Sequence, residues 1–158
     1  MPDISKSIHQ FKVKLINGAE KNLSDYKNKV LLVVNIASAC GFAPQLAELQ
    51  QLQNEFDSNE FQILGFPSND FGRQEPLEGL AIADFCQQNH GVKFPLFEKI
   101  MVRGDAAHPL YQFLANISTP RWNFHKYLVN KDGEVVDYFY PFTKPKSSKV
   151  IKKIQKLL

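Results

Sequence analysis

Cysteine is scarce in this chain: Cys40 and Cys86 are the only two in 158 residues. Two thiols are too few for a disulfide-stapled scaffold. Tryptophan is scarcer still, with Trp122 alone. Neither sign of charge dominates, since 19 basic residues against 16 acidic ones leave a net charge of +3. No Arg/Lys stripe interleaved with aromatics is present, so nucleic acid is not an expected partner. No apolar run approaches the ~18 residues of a membrane span, and stable membrane insertion is not expected. The opening residues, Met1-Pro2-Asp3-Ile4-Ser5-Lys6, lack the apolar stretch of a secretory signal, so the expectation is a cytoplasmic protein. His9, His90, His108 and His125 lie far apart with no ligand spacing, so neither a metal nor a cofactor is expected.

What is present suffices for one domain over residues 1–158, with 44% hydrophobic residues and thirteen Phe to form its core. Phe11, Val13 and Leu15 alternate with Lys12 and Lys14 as in a strand with one wet face, and Asn17-Gly18 is a hairpin signal. The run Leu31–Ala37 is apolar on both faces, as a central strand covered by helices would be. A helix is expected to open at Pro44, with Leu46, Leu49, Leu52 and Phe56 inward, and to close at Asp57-Ser58-Asn59. Phe61–Phe66 reads as a second buried strand, followed by a long turn-rich loop from Pro67 to Pro76. Helices are expected over Leu77–Gln88 and Pro109–Ile117. Phe124–Val129 and Val135–Tyr140 flank the turn Lys131-Asp132-Gly133, and a last helix starts near Ser147-Ser148. This order indicates an α/β sheet with helices on its faces and an N-terminal β-hairpin. A long loop in a compact domain usually carries function.

Cys40 has the most suggestive position. It follows the Leu31–Ala37 run and precedes the helix expected at Pro44. A thiol at a helix N-terminus faces unpartnered N–H groups and the positive end of the helix dipole, which favours the reactive thiolate. Cys86 lies on a second expected helix. Two thiols on separate elements, one of them poised, suggest thiol redox chemistry.

Four stretches then match a known family. Asn35-Ile36-Ala37-Ser38-Ala39-Cys40-Gly41-Phe42 resembles the active-site segment of the glutathione peroxidases. Gly65-Phe66-Pro67-Ser68-Asn69-Asp70-Phe71-Gly72-Arg73-Gln74-Glu75-Pro76 resembles their second signature, and Trp122-Asn123-Phe124 with Lys126-Tyr127-Leu128-Val129 their third. Phe85-Cys86 followed by Gly91–Phe97 resembles the helix that carries a resolving cysteine in members without selenium. The agreement runs in order from about Phe11 to the end.

The resemblance implies a thioredoxin-like fold, with a central mixed sheet, and reduction of hydrogen peroxide and organic or lipid hydroperoxides. Cys40 would be the peroxidatic residue, with Gln74, Trp122 and Asn123 completing a catalytic tetrad and Cys86 resolving. Amides of Gln74 and Asn123 and the indole N–H of Trp122 would donate to the thiolate and the leaving oxygen. The expected sequence is a Cys40 sulfenic acid, a Cys40–Cys86 disulfide, and a reset by thioredoxin in preference to glutathione. A redox relay that passes oxidation to a partner protein uses the same two cysteines and is the alternative. Taken singly, Cys86 also reads as a packed apolar thiol, Trp122 as a core aromatic, and Gln74 and Asn123 as loop residues.

Departures from the family pattern carry their own expectations. Ala43 stands where Thr is usual, which would remove a helix cap worth about 1 kcal/mol. Ser68 replaces a further cysteine found in many members, leaving Cys86 as the internal partner. Asp70 in place of Gln and Arg73 in place of Gly are expected to alter rim charge or loop shape. The stretch from Leu114 to Trp122 lacks the insertion of tetrameric members, which implies a monomer with an open site.

Overall fold

A computed structural model describes residues 3–158. Strands β1 (Lys12–Lys14) and β2 (Glu20–Asn22) form the N-terminal hairpin, with Gly18 at φ 89° in its turn. Lys12 and Lys14 are exposed and Val13 is buried, with Phe11 and Leu15 half-buried against the core on either side, so the hairpin strand has the one wet face that the alternation predicts. The main sheet contains β3 (Val30–Ile36), β4 (Phe61–Pro67), β5 (Lys126–Val129) and β6 (Val135–Phe139) in the order β4-β3-β5-β6. β3 runs parallel to β4 and antiparallel to β5, and β5 runs antiparallel to β6. The sheet is therefore mixed, as expected.

Every residue of β3 is buried, which follows from its central place. Val30, Leu32, Val34 and Ile36 pack with Leu46, Leu49 and Leu52 of α1 (Gln45–Asn54), Ile82 and Cys86 of α2 (Leu80–His90), and Val150 and Ile154 of α4 (Ser148–Leu157). Leu31 and Val33 point the other way, into a second cluster with Leu110, Tyr111 and Leu114 of α3 (Pro109–Ala115). Period-two alternation thus fills a core on each face, with each buried Leu or Val contributing ~1.5–3 kcal/mol.

Element ends differ from expectation for local reasons. α1 begins at Gln45 with Pro44 as its cap residue, after a tight turn in which Ala43 N–H donates to Cys40 O at 2.9 Å. Pro44 offers no side-chain acceptor, so α1 starts without a side-chain cap, and Ala43 lies one residue before the cap position rather than at it. The helix stops at Asn54, ahead of Asp57. α2 starts three residues later than Leu77 because Gly79, at φ 53° and ψ −136°, is not helical. It ends at Gly91, whose φ of 65° lets its N–H reach back to Gln87 O. β5 starts at Lys126, not Phe124, because Phe124 adopts a φ of 70°.

The topology gathers the family's signature segments at one end of the sheet. Parallel β3 and β4 deliver the residues that follow them, 37–44 and 68–76, to their shared C-terminal end. Antiparallel β5 brings the residues that precede it, 121–125, to the same end.

Candidate active site

Cys40 lies at the floor of a recess of about 270 Å³ that Gly41, Phe42, Gln74 and Trp122 complete. Its side chain is buried, and Phe42 N–H donates to its Sγ at 3.3 Å. The turn Gly41–Pro44 separates it from the first helical residue of α1. The donor at the sulfur is thus a turn amide, not the α-helix terminus expected from sequence.

Each wall of the recess is fixed by long-range hydrogen bonds. Ala39 N–H donates to Gln74 O at 2.8 Å, tying the cysteine loop to the second loop. Asn123 Nδ2 donates to Gln74 Oε1 at 3.1 Å and to Phe71 O at 3.3 Å. Asn35 Nδ2 donates to Trp122 O at 3.0 Å, and Phe124 N–H donates to Asn35 O at 2.6 Å. The Trp122 ring packs beside Phe71, with centroids 5.4 Å apart. It also closes over Gly72, where a Cβ would stand 3.0 Å from the indole. With φ at 68°, that position suits glycine on both counts.

Gln74 and Trp122 therefore reach the recess, while Asn123 sits behind it, fully buried. Both amide protons of Asn123 are engaged within the protein, so it does not donate to Cys40. Its bond to Oε1 holds the Gln74 side chain in place. The Gln74 Nε2 protons remain available as donors.

Cys86 is not brought to the recess. It is buried on α2 within the same apolar cluster as Cys40, and both thiols are free. Desolvation, with a smaller contribution from the Glu75 carboxylate, pushes the Cys86 thiol up to about 12. In this state it is an unreactive thiol.

Sequence reasoning missed several groups that hold the site. Glu75 is fully buried and accepts from Ser38 N–H at 3.2 Å and from Ser38 Oγ. Burial raises its carboxyl pKa, while the Ser38 bonds and the Lys99 ammonium oppose the rise. Asp70, expected to change rim charge or loop shape, is structural: its Oδ2 accepts from Val102 N–H at 2.6 Å and Arg103 N–H at 3.3 Å. Arg73 adopts a φ of 53°, the backbone region for which glycine is suited.

Lys126 is the largest omission. It is fully buried, and its Nζ donates to Phe124 O at 2.8 Å and Pro141 O at 3.3 Å. Desolvation lowers its pKa to about 7, against a weaker pull upward from Glu48. Its clamp on Phe124 O supports the left-handed backbone one residue after Asn123. The one signal in the sequence was a lysine inside an apolar strand, which is informative only once that strand is known to be central.

The residues from 8 to 115 match the family model described as glutathione peroxidase. The chain belongs to the glutathione peroxidase family. It is 50% identical over 145 residues to the glutathione peroxidase homolog BsaA of Halalkalibacterium halodurans, covering 88% of this chain and 92% of that one. It is 42% identical to the hydroperoxy fatty acid reductase gpx1 of Synechocystis, over 98% of this chain and 97% of the other. Among solved structures, the apo form of Trgpx superposes with a TM-score of 0.73 at 36% identity, covering 96% of this chain and 97% of that one. A thioredoxin-like superfamily protein, SPOA0173, matches at a TM-score of 0.66 and 16% identity, covering 96% of each chain, and shares the fold. The fold of this glutathione peroxidase is thioredoxin-like, and its activity is reduction of hydroperoxides with a thiol reductant. No helix among the described residues is long and apolar enough to cross a membrane.

Proposed function

We propose that Cys40 is the peroxidatic residue, that Gln74 and Trp122 stabilise its transition state, and that Asn123 positions Gln74. The observation that carries this reading is the convergence of Cys40, Gln74 and Trp122 on one recess, with Asn123 bonded to Gln74 at 3.1 Å. The Cys40 thiolate attacks one peroxide oxygen and the O–O bond breaks. The leaving oxygen departs as alkoxide or hydroxide and is protonated from water. Neutral donors aimed at that oxygen lower the barrier without having to give up a proton. The product at Cys40 is a sulfenic acid.

Cys86 then attacks the sulfenic sulfur. Its proton and the departing hydroxide leave as water, and a Cys40–Cys86 disulfide remains. Two observations support a conformational step between these events. Cys86 is packed in the core, away from the recess. α2 fully buries only Ile82 and Cys86 itself, with Ala83 and Phe85 half-buried against the core, and starts without a side-chain cap. Such an element unfolds locally at low cost. The unfolded segment also exposes the disulfide to a protein dithiol, which favours thioredoxin over glutathione as reductant. A single-domain monomer in a reducing cytoplasm fits two free thiols that must be reset after each cycle.

The test is an NADPH-coupled assay with hydrogen peroxide, run with thioredoxin and its reductase and, separately, with glutathione and its reductase. The proposal expects turnover with the first pair that exceeds turnover with the second. Turnover with glutathione alone would refute the reductant assignment.

A further inference from the structure

Glu75 is buried, and each of its four polar groups has a partner. Its N–H donates to Asn69 Oδ1 at 3.0 Å, and its carbonyl accepts from Lys99 Nζ at 2.8 Å. Its carboxylate accepts from the N–H and from the hydroxyl of Ser38. The residue beside it, Gln74, accepts from Ala39 N–H through its carbonyl. Ser38 and Ala39 are the two residues that lead into Cys40. Two adjacent positions of one loop therefore hold two adjacent positions of the other. Donors to a buried carboxylate form stronger bonds than neutral pairs do.

Lys99 fastens the other side of this junction. Its Nζ donates to Glu75 O, to Leu77 O at 3.0 Å and to Glu78 Oε1 at 2.8 Å, so all three ammonium protons are used. The Glu78 side chain is largely exposed and adds little, which leaves the two carbonyls as the substance of the clamp. Lys99 stands on a fixed segment. Phe97 N–H donates to Gly65 O at 3.0 Å, Glu98 N–H to Lys14 O at 2.8 Å and Ile100 N–H to Pro67 O at 3.0 Å. The lysine thus ties residues 75–78 to β4 and to the N-terminal hairpin.

α2 begins directly beyond that clamp, after Gly79. Past its other end, Lys93 N–H and Phe94 N–H donate to Gln50 Oε1 on α1 at 2.7 and 3.1 Å. The helix is therefore bracketed by two anchored segments, with a glycine at positive φ, Gly79 or Gly91, just inside each. A local opening spreads along the chain until it reaches contacts that cost more than the opening gains. An opening of α2 that reached Glu75 would release both Gln74 and Ser38, and the Cys40 recess would lose its walls. Gln74 stands only a few residues ahead of Gly79, so a barrier to that spread has to lie between them.

We propose that Glu75 is a positioning residue that keeps Cys40 and Gln74 in register, and that Lys99 anchors it and confines the opening of α2 to the chain beyond Gly79. This rests on the reading of Cys40 and Cys86 as the reacting thiols, and it adds what holds the peroxidatic half still while the resolving half moves. The boundary is tested in the reduced protein by amide exchange resolved by residue with NMR, which needs no reaction at Cys40. In the natural chain the amides of Ala39 and Glu75 should exchange at least about tenfold more slowly than those of Leu80–His90. Lys99→Met should bring them to the α2 rate, an acceleration of about ten- to a hundredfold, and should accelerate the amides of β3 less. Ala39 and Glu75 amides that exchange with α2 in the natural chain overturn the proposal. So does a uniform acceleration in Lys99→Met, which would make the lysine a contributor to global stability alone.

The positioning role of Glu75 is tested by the stopped-flow rate of Cys40 oxidation by hydrogen peroxide. Glu75→Ala should slow it by about ten- to a hundredfold, because Ser38 loses both its acceptors. Glu75→Gln should restore a rate close to that of the natural chain. Its amide oxygen accepts from Ser38 N–H, and its NH₂ donates to the Ser38 hydroxyl. Oxidation of Glu75→Ala at the natural rate overturns the positioning role. Glu75→Gln as slow as Glu75→Ala does so too, since charge and not bond geometry would then be what matters. Cys40 that fails to react in the natural chain while the exchange boundary is present would refute the peroxidase reading alone.

Discussion

Asn123 donates its side-chain amide to Gln74 Oε1 at 3.1 Å, across 49 positions in the sequence. That bond and the one to Phe71 O use both of its amide protons. Asn123 should therefore influence Cys40 through Gln74. Gln74→Ala should slow Cys40 oxidation by about ten- to a hundredfold, below the ~2.7–4 kcal/mol of a dry oxyanion site because water enters an open recess. Asn123→Ala should slow it less, and should add little in the Gln74→Ala background, as for residues that act as one unit. Stopped-flow oxidation rates of the four chains give the coupling. Fully additive losses would show that Asn123 acts on its own.

Cys40→Ser should abolish peroxide reduction while far-UV circular dichroism and the unfolding midpoint stay close to those of the natural chain. The hydroxyl remains protonated near neutral pH and is a poor nucleophile. It is also close in size to the thiol, so the buried site loses little packing. Substantial turnover by the folded variant would move the chemistry to another residue.

Cys86→Ser should consume one equivalent of peroxide and then stall with thioredoxin, accumulating sulfenic or over-oxidised Cys40. Mass spectrometry of the peroxide-treated natural chain should find the Cys40–Cys86 linkage. Amide exchange over Leu80–His90 should be faster than over Gln45–Asn54, since α1 buries Leu46, Leu49 and Leu52 where α2 buries Ile82 and Cys86. Normal cycling of Cys86→Ser with thioredoxin would reduce Cys86 to a packed thiol.

Lys126 should leave a signature in stability against pH. Its pKa falls to about 7 in the fold from 10.5, so between those values the unfolded chain binds more protons at this site. Stability contributed there rises with pH, with a slope that approaches about 1.4 kcal/mol per pH unit. Other buried groups, Cys86 and Tyr127 among them, titrate in the opposite sense, with raised pKa values. The comparison with Lys126→Met isolates the lysine: natural-chain stability minus variant stability should increase from pH 7 to pH 10 in urea unfolding. A difference independent of pH would mean that Lys126 keeps an ordinary pKa in the fold.

The local pattern carried most of the architecture. Apolar runs without a wet face marked β3 and β4, three- and four-residue spacing marked α1, and Ser147 marked the start of α4, where its Oγ accepts from Val150 N–H. These signals are short-range consequences of side-chain period and capping, so one segment reveals them. Cys40, Gln74, Trp122 and Asn123 were legible as a set because their flanking motifs match the family.

Roles within that set were not legible. The partner of Asn123 lies 49 positions away, that of Trp122 O 87 positions away, and that of Ser38 37 positions away. Only the folding of β3, β4 and β5 to one sheet end makes these groups neighbours. The same is true of Lys126, whose charge reads as a solvated side chain until β5 is found between β3 and β6, where neither face meets water. The sequence by itself determined which segments are strands and helices and which thiol precedes a turn, because period and turn chemistry are local properties. The tertiary structure decided which amide faces the recess, which cysteine is buried and which lysine is desolvated, because hydrogen-bond partners and burial depend on segments far apart in the chain.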